Sequence, residues 1–190
     1  MNEKLLANIR VYFAQSVFMC NCHFKAMHRL EKKEKNLSKV VAIISSITIL
    51  SLIFLIIGFE KNIQHIVTIA TYIGLLTTAS SLIYERFYKS DRIEKIFLNR
   101  MYAEKYKTLR DKYVNLIEEI MSAFTVEDQI RKKSDDLQKQ YSSIGESAPS
   151  IDAVDYEQAR AGLGISKLNN EEFTWADSEI NKFLPKQLQI

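Results

Sequence analysis

Hydrophobic and polar positions divide the chain into an uncharged centre and two periodic flanks. Residues 40–58 read VVAIISSITILSLIFLIIG and residues 66–84 read IVTIATYIGLLTTASSLIY, each 19 residues without a charge. As α-helix, such a run extends about 28 Å, close to the ~30 Å hydrocarbon core of a bilayer. A surface helix of a soluble protein carries a charged face, and neither run has one. The pattern predicts a transmembrane hairpin: one helix over 40–58, a second over 66–84, and the turn FEKNIQH at 59–65.

The flanks have helical periodicity. Leu6, Ile9, Phe13, Val17, Cys20, Phe24 and Met27 recur every three or four residues, which predicts an amphipathic helix over 3–34 within a cytoplasmic segment 1–36. Its polar side is expected to hold Glu3, Lys4, Asn8, Arg10, Lys25 and Lys32. Because its apolar residues are periodic, it is not a signal peptide. After the second span, Phe97, Met101, Tyr102, Tyr106, Leu109, Tyr113, Leu116, Ile120 and Phe124 form a near-heptad seam. This predicts a cytoplasmic helical stalk over 85–141 that packs on the first helix. The segment 142–190 is expected to be a linker (SSIGESAPS, 142–150) and small helices. One runs from Ile151 to Ala161, capped by Ser150 and stopped by Gly162-Leu163-Gly164. The last opens at Asn169 and ends at Pro185. Trp175 lies off its apolar stripe and is expected in the core or on a partner surface.

The second span is asymmetric. On a helical wheel Val67, Thr71, Gly74, Thr78, Ser81 and Glu85 fall near one line, opposite Ile69, Tyr72, Ile73, Leu76 and Ile83. A small hydroxylated face serves either close helix packing or water. Thr71, Gly74, Thr78, Ser81 and Glu85 are therefore pore-lining candidates. As a ring at the mouth, Glu85 would favour cations. Otherwise it pairs with Arg86 or Lys89.

Composition and charge narrow the field. Five Gly and two Pro among 190 residues, with no hairpin dipeptide, point to an all-α protein. Residues 1–39 carry +5, 85–140 carry +2 and 141–190 carry −4. The hairpin is flanked by Lys25–Lys39 and Arg86–Arg100 and has only Lys61 in its turn, so both termini are expected in the cytoplasm. Lys105, Arg110 and the triplet Arg131-Lys132-Lys133 are ligand-binding candidates for an anion, against the plainer reading of solvated helix faces. Tyr88, Tyr102, Tyr106 and Tyr113 interleave with basic residues, an arrangement that stacks nucleic-acid bases or simply packs a core. Cys20 and Cys22 cannot bridge within one helix, and with His23 they fall short of four converging zinc ligands. No catalytic motif is present, and neither enzyme activity nor a cofactor is expected.

A cytoplasmic helix, a short two-span hairpin at Val40–Tyr84, a long helix resuming at Glu85-Arg86-Phe87-Tyr88, and a loop before the Asp155-Tyr156 helix together resemble the SLATT family of two-transmembrane effectors. The resemblance covers most of residues 1–160 and carries no invariant site residues. It implies an all-α protein of the bacterial inner membrane whose hairpin and cytoplasmic helices form an oligomeric bundle. It also implies a pore-forming effector of antiphage defence that depolarises the membrane and causes growth arrest or death. Control would come from a nucleotidyltransferase partner through a cyclic nucleotide or short DNA oligomer. The Hailong-type effectors of this family, held closed by short DNA, are the suggested subtype. Two helices cannot enclose water, so a homo-oligomer is required, here taken as a tetramer. The competing readings are a holin-like lesion former and a non-conducting membrane scaffold for a cytosolic partner.

Overall fold

The computed structural model describes residues 3–122, 126–165 and 175–190, and the described residues contain helices and no strand. In order, these are α1 (Glu3–Glu60), α2 (Gln64–Ile83), a π-helical turn (Tyr84–Lys89), α3 (Ser90–Met121), α4 (Glu127–Ser147), α5 (Ala153–Gly162) and α6 (Asp177–Ile180). Single turns of 3-10 helix follow at Asn181–Phe183 and Lys186–Leu188. The chain divides into two compact units: Arg29–Ile96, and the residues before and after it.

The membrane unit is the expected hairpin. Both its helices are long and apolar enough to cross a bilayer, and only 6% of each most apolar stretch is buried within the protein. Ile49, Leu52, Phe54 and Leu76 point outward, as lipid-facing side chains must. The reversal is tighter than the predicted 59–65. Helix runs to Glu60 and restarts at Gln64, with Asn62 in the left-handed region at φ 53°, a conformation asparagine tolerates. Gly58 permits this closeness, since a Cβ there would lie 2.9 Å from Val67 Cγ2.

The second unit is a helical bundle. Leu6, Ile9, Phe13 and Val17 of α1 meet Leu109, Tyr113, Leu116 and Ile117 of α3, with Ile130 and Leu137 of α4 and Ile180, Leu184 and Leu188 of the C-terminal segment. The two predicted seams therefore form one core. At its other end Phe18 and Cys22 pack with Ala159 and Ile165. Phe18 meets Tyr156 edge-on at 4.8 Å and Trp175 at 6.2 Å, so Trp175 takes the core reading.

Several sequence expectations are corrected. The N-terminal helix and first span are one unbroken α1, because no Gly or Pro interrupts residues 3–57. Residues 142–147 are not linker: α4 continues to Ser147 because Tyr141 and Ile144 extend its apolar face onto the core. Arg10 is not on a polar face. It is 3% exposed, donating to Asp177 Oδ1 at 2.7 Å and Asn181 Oδ1 at 2.6 Å. Phe97, placed in the seam, is 64% exposed. Asp152, rather than Ser150, precedes the first residue of α5, and Gly164, at φ 64°, supplies the left-handed exit. The last helix starts only at Asp177, after Trp175 at φ 45°. Its predicted start, and Phe124, lie outside the described residues.

Candidate functional site

The second span shows which side of its polar stripe is used within one chain. From residue 68 to residue 96 the residues that are not exposed are Ala70, Gly74, Thr77, Ser81, Tyr84, Lys89, Arg92 and Ile96. Four of them meet α1 directly. Gly74 approaches Ser51 so closely that an added Cβ would sit 3.0 Å from its hydroxyl. The Thr77 and Thr48 hydroxyls meet at 2.7 Å. Tyr84 and Arg92 both donate to Glu34. Small residues thus bring the backbones together, and hydroxyls answer one another where no water is available.

This division splits the predicted pore-lining set. Gly74 lies in the contact between the two spans, and Ser81 is partly buried. Thr71, Thr78 and Glu85 stay exposed. Thr71 returns its hydroxyl to Val67 O at 2.8 Å, which satisfies it inside the helix and leaves its oxygen outward. Thr48, Ser51, Thr71, Gly74 and Thr78 line one shallow groove of about 280 Å³. Glu85 is 3.6 Å from Lys89, the local pairing anticipated as its alternative.

The ligand-binding candidates are spread over two helices, and four of the five are engaged locally. Lys105 lies over the Tyr102 ring at 4.5 Å. Arg110 bonds Asp111 at 2.6 and 2.8 Å. Arg131 bonds Glu127 at 2.9 Å and Lys133 bonds Glu119 at 2.6 Å, while Lys132 is exposed. Lys112, Glu119, Lys133 and Asp136 share a mixed-charge groove of about 290 Å³ between α3 and α4. Tyr102, Tyr106 and Tyr113 are buried, so they are core side chains and present no base-stacking face.

Three polar constellations were not foreseen. His23 is fully buried, its Nδ1 2.9 Å from Asn99 Oδ1 and its ring stacked 5.7 Å from Tyr106. Burial lowers its pKa, against the opposing Asn99 hydrogen bond. Its helical repeat with Ala26 and the α3 seam was the only signal available. The Arg10 clasp joins residues 167 apart and left no sequence trace. The third is Glu34. One oxygen accepts from Tyr84 Oη at 2.8 Å and Ser38 Oγ at 3.1 Å, and the other from Arg92 Nη1 at 3.2 Å. Burial acts to raise its pKa, but these donors outweigh it and hold the carboxyl below its ordinary value. Cys20 and Cys22 are free and buried. Burial pushes their thiols up to about 11 and about 12. Among the described residues no three His, Cys, Asp or Glu side chains cluster as metal ligands.

The hairpin and its helical bundle coincide with a known domain. The model of the SMODS and SLOG-associating 2TM effector domain family 4 matches residues 5–179. The chain belongs to this SLATT family. No curated protein and no solved structure matches it. As a SLATT domain it is a membrane protein and an effector of antiphage-type systems, a family of membrane effectors and not of known enzymes. The match runs through α1–α5 and into α6, so the hairpin and most of the bundle together make up the domain.

Proposed function

We propose that this SLATT domain is an oligomeric ion-conducting effector of the bacterial inner membrane, with both termini in the cytoplasm. It is gated through its cytoplasmic helices by a cyclic nucleotide or a short DNA oligomer made by a nucleotidyltransferase partner. Opening, or release from closure, depolarises the membrane and causes growth arrest or death. The observation that carries this reading is the exposure of Thr71, Thr78 and Glu85 on the flank of a span whose Gly74 and Thr77 are already used against α1. A hydroxylated flank that ends in a carboxylate suits neighbouring copies around water better than lipid. A tetramer is the stoichiometry we favour. Of the basic candidates, Arg131-Lys132-Lys133 are consecutive as well as exposed, which suits an anionic signal.

Ion flux through the purified chain in liposomes, with and without short DNA oligomers and cyclic nucleotides, tests the proposal. Flux that changes with one of these ligands supports it. No flux from inserted, oligomeric protein favours the scaffold. Flux that persists without residues 126–190 favours the holin-like reading. Glu85→Lys is expected to shift the reversal potential toward anion preference, and an unchanged potential removes Glu85 from the pore mouth. Charge reversal of the 131–133 triplet is expected to weaken ligand control.

A further inference from the structure

The face of α2 that packs on α1 repeats in sevens: Ala70, Thr77, Tyr84. The next anchor on the same side, Arg92, comes eight residues after Tyr84 and bonds the same carboxylate, Glu34. In an unbroken α-helix two residues eight apart lie about 80° apart around the axis, and two residues seven apart about 20°. Tyr84 and Arg92 share Glu34 because the π turn at Tyr84–Lys89 absorbs one residue. Counting back in sevens from Arg92 along a plain α-helix gives Glu85, Thr78 and Thr71. These are the exposed members of the polar stripe.

We propose that the π turn at Tyr84–Lys89 is a two-position register switch. In the observed position Ala70, Thr77 and Tyr84 lie against α1. When the turn closes to α-helix, the span rotates by about one residue, roughly 100°, and Thr71, Thr78 and Glu85 take those places. Glu34 sets the balance. In the observed register it receives both Tyr84 and Arg92, which offsets the poorer hydrogen bonding of a wide turn. In the rotated register it loses Tyr84 and meets the carboxylate of Glu85, a like charge. The rotation carries Leu75 and Leu82 to the places that Gly74 and Ser81 now hold, so it also requires the two spans to draw apart at the crossing, where even a Cβ at Gly74 would lie 3.0 Å from Ser51 Oγ. That the rotation exposes or hides a conduction path rests on the pore reading above; the rotation itself does not.

Cysteine pairs read the register directly in the full chain, reconstituted in phosphatidylethanolamine–phosphatidylglycerol vesicles and oxidised mildly. The pair Thr48→Cys with Thr77→Cys reports the observed register, where the native hydroxyls are 2.7 Å apart. Thr48→Cys with Thr78→Cys reports the rotated one. Cys20 and Cys22 are buried with raised thiol pKa values and stay out of the reaction. The 48–77 bridge is expected to dominate in the native background. Glu34→Ala is expected to raise the 48–78 bridge about tenfold, the equivalent of one charge-assisted hydrogen bond. Tyr84→Phe is expected to do so less. Deleting Phe87 from the Glu34→Ala chain removes the extra residue and is expected to restore the 48–77 bridge alone. A 48–78 yield that stays at its native level in both Glu34→Ala and Tyr84→Phe, with 48–77 intact, overturns the switch. So does a 48–78 bridge that persists after the deletion. A register change unaccompanied by flux under any ligand sustains the switch and overturns the pore reading instead.

Discussion

The two units use one kind of helix in opposite ways. Between Phe13 and Met27, α1 hides Ala14, Ser16, Phe18, Cys22 and His23 along with its seam residues, so the helix is covered on nearly every side. Between Val40 and Phe59 the same helix leaves most of its isoleucines and leucines bare. In water the first arrangement is how apolar surface is removed from solvent. The second is stable only where lipid replaces water. The bundle can therefore keep polar groups such as Arg10 and His23 inside if it partners them, while in the hairpin the hydroxyls of Ser46, Thr68, Thr71 and Ser80 bond their own helix.

The sharpest way to break that contrast is a matched pair of truncations. Phe13→Ala is expected to cost about 3–5 kcal/mol of bundle stability, the usual loss for a fully buried aromatic. Leu76→Ala, at a site 71% exposed, is expected to cost under about 1 kcal/mol. Chemical unfolding in detergent measures both, and an equal cost would mean that Leu76 is buried against a neighbouring subunit. Next comes the clasp. Asp177→Ala strips the buried Arg10 of its charged partner and is expected to cost about 1–3 kcal/mol, seen as faster proteolytic trimming of residues 177–190. Acid is a gentler lever. The His23 pKa is lowered in the folded bundle by burial, so below the unfolded value of about 6.5 the unfolded chain binds the proton the folded one refuses. Stability is complete above that pH and declines as pH falls through it. The thermal midpoint of the bundle is expected to be lower at pH 5.5 than at pH 7.5, and this difference is expected to shrink in His23→Gln. The smallest effect belongs to Arg131→Ala. Its pair with Glu127 is half-exposed on both sides, and the loss is expected below about 0.5 kcal/mol.

The hairpin was legible because charge-free length is a one-dimensional signal. The bundle seam was legible for the same reason: periodicity survives without coordinates. Gly145 and the serines of 142–147 carry a turn signal, but the three-and-four spacing of Ile130, Ser134, Leu137, Tyr141 and Ile144 overrides it and continues α4. Arg10 carries no local sign of burial, because its partners Asp177 and Asn181 lie 167 and 171 residues away. The polar stripe on the second span was legible as composition but split in the fold. A wheel orders residues around the axis but does not say which edge of a stripe meets the neighbouring helix. Thr77 and Tyr84 take the contact with α1, and Thr71, Thr78 and Glu85 are left exposed.

The three-residue reversal between Glu60 and Gln64 bears on how the protein reaches its place. In the proposed orientation, the polypeptide that must be carried to the far side of the bilayer amounts to that tip, with one acidic and one basic side chain at Glu60 and Lys61. The two apolar helices, already paired through Ser51, Gly74, Thr48 and Thr77, can enter the membrane together as a preformed wedge. No folded domain need be threaded across. Biogenesis then reduces to partitioning of a helical pair from the cytoplasmic face, while the bundle matures on the side where it was synthesised.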